Sequence, residues 1–223
     1  MKPGQFLIVF DWDGVVFDTM PIRKIRNKLL KKLGYSDDHI FKTSRKAVES
    51  RGGYNFYSHA RLLMRSKPKD SRALANAIHE AVEKHPSTFV FPDARRTISI
   101  LKRSKRHFDI LTAGHAEFQE YKIMRSGLRS MFRSIHVVQS GPRVPHYKFG
   151  ILKKLARSHK QVIFLDDRAD TIRTIRRSFE LRGKVLPVLV WRGKEQPPRG
   201  LPMLRRLSWK GIREIAIHNG FRP

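Results

Sequence analysis

Residues Phe6 to Thr19 read FLIVFDWDGVVFDT. Five apolar residues, Phe6 to Phe10, run straight into Asp11, with Asp13 two positions later and Gly14 directly after it. A short run of this kind, rich in branched and aromatic residues and lacking apolar–polar alternation, is how a strand buried on both faces looks. In open α/β sheets, ligands bind outside the carboxyl ends of the strands. Asp11 is the first polar residue after such a strand, so it falls where a site would form, and Gly14 permits a tight turn there.

The same pattern recurs along the chain. Phe108–Leu111, Ile135–Val138, Val162–Leu165 and Val185–Trp191 read as further strands. Between them the spacing predicts helices over about Ala94–Ser104, from about Ala116 to a stop at Gly127, around Phe149, Leu152 and Leu155, and around Ile172 and Ile175. Ser208 is placed to cap a last helix that runs to about His218. Alternating strands and helices over this length predict an α/β fold, a Rossmann-like parallel sheet with helices on both faces.

Residues 20–90 differ. Ile22, Ile25, Leu29, Leu30 and Leu33 lie at helical spacing, and Ser71 opens a second helix with Leu74, Ile78, Ala81 and Val82 on one side. The expected division is a core of residues 1–19 and 91–223, interrupted by a helical insert at 20–90.

Other strands carry oxygen-bearing residues to the same edge. Ile163-Phe164-Leu165 runs into Asp166 and Asp167, with Asp170 beyond, and Thr112 ends the Phe108–Leu111 strand. Carboxylate and hydroxyl oxygens without a His or Cys cluster suit a hard cation, and Mg²⁺ is the one expected. Carboxylates gathered without a cation would repel one another. His115 and His146 fall near this edge as structural or substrate-proximal residues, and Trp12 as packing.

These motifs, in order over nearly the whole chain, resemble the haloacid dehalogenase-like superfamily of phosphohydrolases. DWDGVV resembles its first motif, an aspartate followed two residues later by another; ILTAGH its second, ending a strand in Thr112; Lys148 in VPHYKFGILKKL its third; and VIFLDDRAD its fourth, with acids at Asp166 and Asp170. Leu165 stands where the family often has glycine, and a shifted register would make Asp167 the principal ligand. The resemblance implies a hydrolase of phosphomonoesters. Asp11 would be the nucleophile and Asp13 the acid and base. Asp11, the Asp13 backbone carbonyl and the Asp166, Asp167 and Asp170 group would hold Mg²⁺. Thr112 and Lys148 would hold the phosphoryl oxygens, with Gly14, Ala113 and Gly114 lining the substrate. The dehalogenases of the family lack an acid at the Asp13 position, so its presence implies phosphoryl transfer. The insert matches, in position and helical character, a small cap found after the first motif in the branch of phosphoglycolate phosphatases and phosphomutases. Its segment Ser50 to Arg61, SRGGYNFYSHAR, carries the candidates for substrate choice: Arg51, Tyr54 and Arg61. A phosphomutase of the same fold is the alternative.

Charge supplies a third reading. Lys and Arg number 47 against 19 Asp and Glu, a net +28. Such a field attracts polyanions and phosphorylated ligands. The basic residues are spread in pairs such as Lys31-Lys32, Arg176-Arg177 and Arg205-Arg206, so weak, salt-sensitive polyanion binding is expected, and a nucleic-acid-associated binding protein or end phosphatase is the alternative that the charge favours. The absence of cysteine excludes disulfides and Cys-based zinc sites. No signal peptide or membrane span is expected, and a cytoplasmic protein acting on a small phosphorylated substrate is.

Overall fold

All four residues of β1 (Leu7–Phe10) are fully buried, and their side chains divide between the two faces of a sheet. Ile8 and Phe10 enter one apolar cluster, Leu7 and Val9 the other. That division explains why the run shows no alternation: both faces are covered. A computed structural model gives this picture and describes residues 6–50, 53–65, 70–85 and 88–222.

Six strands form one parallel sheet in the order β3-β2-β1-β4-β5-β6. They are β1, β2 (His107–Ala113), β3 (Ile135–Val138), β4 (Val162–Asp166), β5 (Val185–Val190) and β6 (Met203–Leu204). The chain reverses direction across the sheet at β1, between β2 and β4, which places the open crevice beside Asp11. On one face, Ile98 and Leu101 of α5 (Pro92–Arg103), Ile123 of α6 (Ala116–Arg125) and Ile212 of α9 (Trp209–His218) pack over Phe108, Ile163 and Val188. On the other, Leu152 and Leu155 of α7 (Val144–Ser158) and Ile172 and Ile175 of α8 (Ala169–Arg177) cover Val162 and Phe164. Each such aliphatic side chain contributes roughly 1.5–3 kcal/mol when removed from water.

Between β1 and α5 lie α1 (Met20–Lys32), α2 (Asp37–Glu49), α3 (Phe56–Leu63) and α4 (Ser71–Glu83). The apolar spacing anticipates α1 and α4. It misses α2, whose thirteen residues start from a Ser36 side-chain cap and bury only Ile40, Thr43 and Ala47. Nor does it give α3, which starts from a reciprocal Asn55–Ser58 capping box inside the segment expected to carry substrate-selecting side chains. Arg51 of that segment lies outside the described residues. The helices pack onto α6: Phe56 meets Phe118 at 4.9 Å, and Glu83 accepts hydrogen bonds from Tyr121 and Arg125. Among the described residues no helix is long and apolar enough to cross a membrane.

Candidate active site

The Asp11 amide donates to Leu165 O at 2.7 Å, so the β1–β4 ladder runs up to the first acid. Its Oδ1 accepts from the Trp12 amide and its Oδ2 from the Lys148 ammonium, at 2.8 and 2.9 Å. Trp12 is fully buried and stacks on Phe17 at 5.6 Å, which turns the loop back under itself. Gly14 takes φ +78°, and a Cβ there would collide with the Asp167 carboxylate. Glycine thus serves both the left-handed turn and the close approach of the β1 and β4 loops.

A second clamp fixes the same loop from outside. Arg192, just past β5, donates to the Gly14 and Val15 carbonyls at 3.1 and 2.9 Å and holds Asp93 through two bonds of 3.0 Å. Its guanidinium lies 3.8 Å over the Phe91 ring. Asp93 also accepts the Leu207 amide.

Lys148 enters from the second turn of α7 and is 1% exposed. Its Nζ lies 2.7 Å from Asp166 Oδ2 and 2.9 Å from Asp11 Oδ2, joining the ends of β1 and β4. Burial alone would lower the ammonium's pKa, but the two carboxylates outweigh it and raise it. One oxygen from each of Asp11, Asp166 and Asp167 falls within 4.8 Å of the others. Burial, opposed by Lys148 and reinforced by Asp166, pushes Asp11 up to about 7. Burial with the Asp11 and Asp166 charges pushes Asp167 up to about 8. One lysine therefore leaves the cluster short of positive charge. An all-oxygen donor set with excess negative charge fits a hard divalent cation, so the cluster can hold a metal ion.

The remaining expected residues divide. Thr112, next to last in β2, is 1% exposed and its Oγ1 has no partner among the described residues, leaving a donor for a ligand oxygen. Ala113 O accepts from Gln119 Nε2 at 2.7 Å, while the Gly114 amide is already bonded to Val138 O. Asp170 pairs with Arg168 and stands apart from the three-aspartate cluster. The Asp13 carboxylate also lies outside it, held by Lys122 at 2.5 Å and Gln119 at 3.0 Å. Arg61 is exposed in the last turn of α3 and away from the cavity. His146 is exposed, and His115 precedes α6 with its Nδ1 unpartnered among the described residues.

Tyr54 does reach the site. It lines a cavity of about 200 Å³ together with Asp13, Arg26, Ser44, Phe118 and Lys122, between α1–α3 and α6. Three of its walls were not read from the sequence: Lys122, Gln119 and Arg26, which are 3%, 3% and 6% exposed. The available signal was position. Lys122 and Gln119 share the inward face of α6 with Ile123, and Arg26 falls one turn from both Ile22 and Leu30 on the inward face of α1.

Residues 7–178 match a family model described as haloacid dehalogenase-like hydrolase. Among solved structures, a haloacid dehalogenase-like hydrolase from Burkholderia xenovorans LB400 superposes with a TM-score of 0.69 at 16% identity, covering 96% of each chain. A HAD hydrolase from Bacillus subtilis, bound to magnesium, gives 0.61 at 15% identity over 96% of this chain and 99% of its own. The L-2-haloacid dehalogenase of Xanthobacter autotrophicus gives 0.56 at 14% identity over 85% and 78%. At these identities the likeness is one of fold. No curated protein sequence matches the chain.

Proposed function

The chain belongs to the haloacid dehalogenase-like hydrolase family, and we propose that it hydrolyses a small phosphomonoester with Mg²⁺ through an aspartyl-phosphate. The observation that carries the reading is Asp13: a second carboxylate, held by Lys122 and Gln119, faces the cavity two residues after Asp11. Cleavage of a phosphate ester needs a proton for the leaving oxygen, and a positioned carboxylic acid supplies it.

An Asp11 carboxylate oxygen attacks phosphorus, and the bond from phosphorus to the ester oxygen breaks. That oxygen takes the Asp13 proton and leaves as an alcohol. A water then attacks the aspartyl-phosphate at phosphorus, gives its proton to Asp13, and inorganic phosphate departs as the Asp11 carboxylate re-forms. Thr112 Oγ1 and the Lys148 ammonium bind phosphoryl oxygens, where negative charge gathers during transfer. Asp11, Asp166 and Asp167 would hold Mg²⁺, which offsets repulsion between a carboxylate and a phosphoryl dianion. The helices at 20–90 act as a cap, excluding water from the cavity they line.

The test is hydrolysis of a panel of phosphorylated small molecules, an aryl phosphate included, before and after exhaustive chelation. Activity that stops on chelation and returns with Mg²⁺ better than with Ca²⁺ is expected; full activity without metal ends the Mg²⁺ assignment. A 5′-phosphorylated oligonucleotide belongs on the panel because of the +28 charge. Its binding should vanish by about 0.2 M salt while ester hydrolysis persists. Dephosphorylation of the oligonucleotide faster than any small ester, with tight binding at that salt, replaces this reading with end processing.

A further inference from the structure

Arg26 is a buried guanidinium without an anion. It is 6% exposed and forms no ion pair among the described residues. Its hydrogen bonds go to neutral oxygens: Nε and Nη2 donate to Asn27 Oδ1 at 2.9 and 2.7 Å, and Nη1 donates to Ser44 Oγ at 3.2 Å and Tyr54 OH at 3.0 Å. A guanidinium has five N–H donors, so one on Nη2 finds no partner among the described residues.

Its surroundings hold it in place without neutralising it. The oxygen of Tyr54 accepts from Arg26 and lies 3.2 Å from His59 Nδ1. His59 Nε2 lies 3.1 Å from Thr43 Oγ1, which donates to His39 O at 2.6 Å. With Thr43 spent as a donor on that carbonyl, Nε2 carries the proton and Nδ1 receives the Tyr54 hydroxyl proton. The chain of bonds is fully directed and every member except Arg26 is neutral. A buried charge without a counter-charge is costly, and buried charges are as a rule paired.

Arg26 opens onto the cavity described above. Arg26 and Arg23 both line it, and its one acid, Asp13, is occupied by Lys122. Arg23, exposed at the rim, also lacks an ion pair among the described residues. We propose that the cavity receives a second anionic group: the alcohol portion of the phosphoester carries a carboxylate or a further phosphate, which Arg26 binds with Arg23 at the rim. This substrate class rests on the phosphomonoester reading above. The roughly 200 Å³ available suits a leaving group of a few carbons.

The test uses three esters: 3-phosphooxypropanoate, propane-1,3-diol bisphosphate and propane-1,3-diol monophosphate, whose alcohol portion is uncharged and which is the neutral member of the set. Either charged ester should exceed the neutral one by at least about tenfold in kcat/KM, the scale of one charge-assisted contact, and which of the two wins identifies the anion. Arg26→Gln should bring the ratio close to one. Ser44→Asp places a carboxylate beside Nη1; it should raise the melting temperature and abolish the preference as well. A folded wild type that takes the neutral ester equally well overturns the proposal while leaving phosphatase activity intact, and so does an Arg26→Gln enzyme that keeps the preference. Calorimetric binding reads the same question without turnover. With Mg²⁺ present, 3-phosphonopropanoate should bind at least about tenfold tighter than propylphosphonate, and only when Arg26 is present; equal or absent binding of the two overturns the proposal.

Discussion

Lys122 Nζ lies 2.5 and 2.6 Å from the two carboxylate oxygens of Asp13, and it reaches them from the buried face of α6 across the rings of Phe17 and Phe118. The lysine is 4% exposed along its side chain and Asp13 33%, so the pair is anchored from the lysine side. In the proposed mechanism Lys122 is a positioning residue: it would aim the Asp13 carboxyl group that carries the proton.

Lys122→Met keeps the length and apolar stem while removing the charge. We expect kcat for an aryl phosphate to fall by about ten- to a hundredfold, part of the 10²–10⁴ that general acid–base catalysis supplies, with KM changed much less. A fall confined to KM would place Lys122 on the substrate and not on Asp13.

Arg192 joins the loop after β1 to Asp93 at the start of α5, from a position 99 residues past Asp93 and 178 past Gly14 in sequence. Arg192→Ala leaves the Asp93 carboxylate without its cation and two loop carbonyls without their guanidinium donors. We expect a loss of about 2–3 kcal/mol in urea denaturation, the scale of hydrogen bonds to a charged group, and a drop in activity on every ester alike. Unchanged stability would show that the clamp holds nothing the rest of the loop does not.

His59 should make the protein acid-sensitive. Burial first, then the Arg26 charge and His39, lowers its pKa from 6.5 to about 3. The folded state therefore keeps the ring neutral where the unfolded chain takes up a proton. The His59 contribution is constant above pH 6.5 and is lost as pH falls from 6.5 toward 3, by up to about 1.4 kcal/mol per pH unit for one proton. Urea midpoints between pH 7 and pH 4.5 read the slope. His59→Gln should flatten it relative to the wild type, and an identical slope in the two proteins would remove His59 as the cause.

Much of the frame was legible in short pieces of sequence because its signals are local. An apolar run ended by an acid places Asp11 and Asp166 at strand ends, and the structure puts both at the crevice beside Lys148. The two residues of β6 and the polar helix α2 gave no such signal: one is too short, and the other buries three residues in thirteen. Lys122 and Arg26 were hidden for another reason. Each looks like one more solvated cation among 47, and only the packing of α6 and α1 around the cavity turns them inward. Asp170 shows the converse: its spacing from Asp166 suits a ligand, but Arg168, two residues before it, takes the carboxylate.

The account depends most on Asp11 as the nucleophile, and one comparison tests it directly: hydrolysis of p-nitrophenyl phosphate at saturating Mg²⁺ by the wild type and by Asp11→Asn. The variant should fold, since its backbone bond to Leu165 O is kept, and should lose at least about a thousandfold in kcat, the scale of removing a covalent catalyst. A folded Asp11→Asn protein turning over at a near-normal rate would contradict the mechanism.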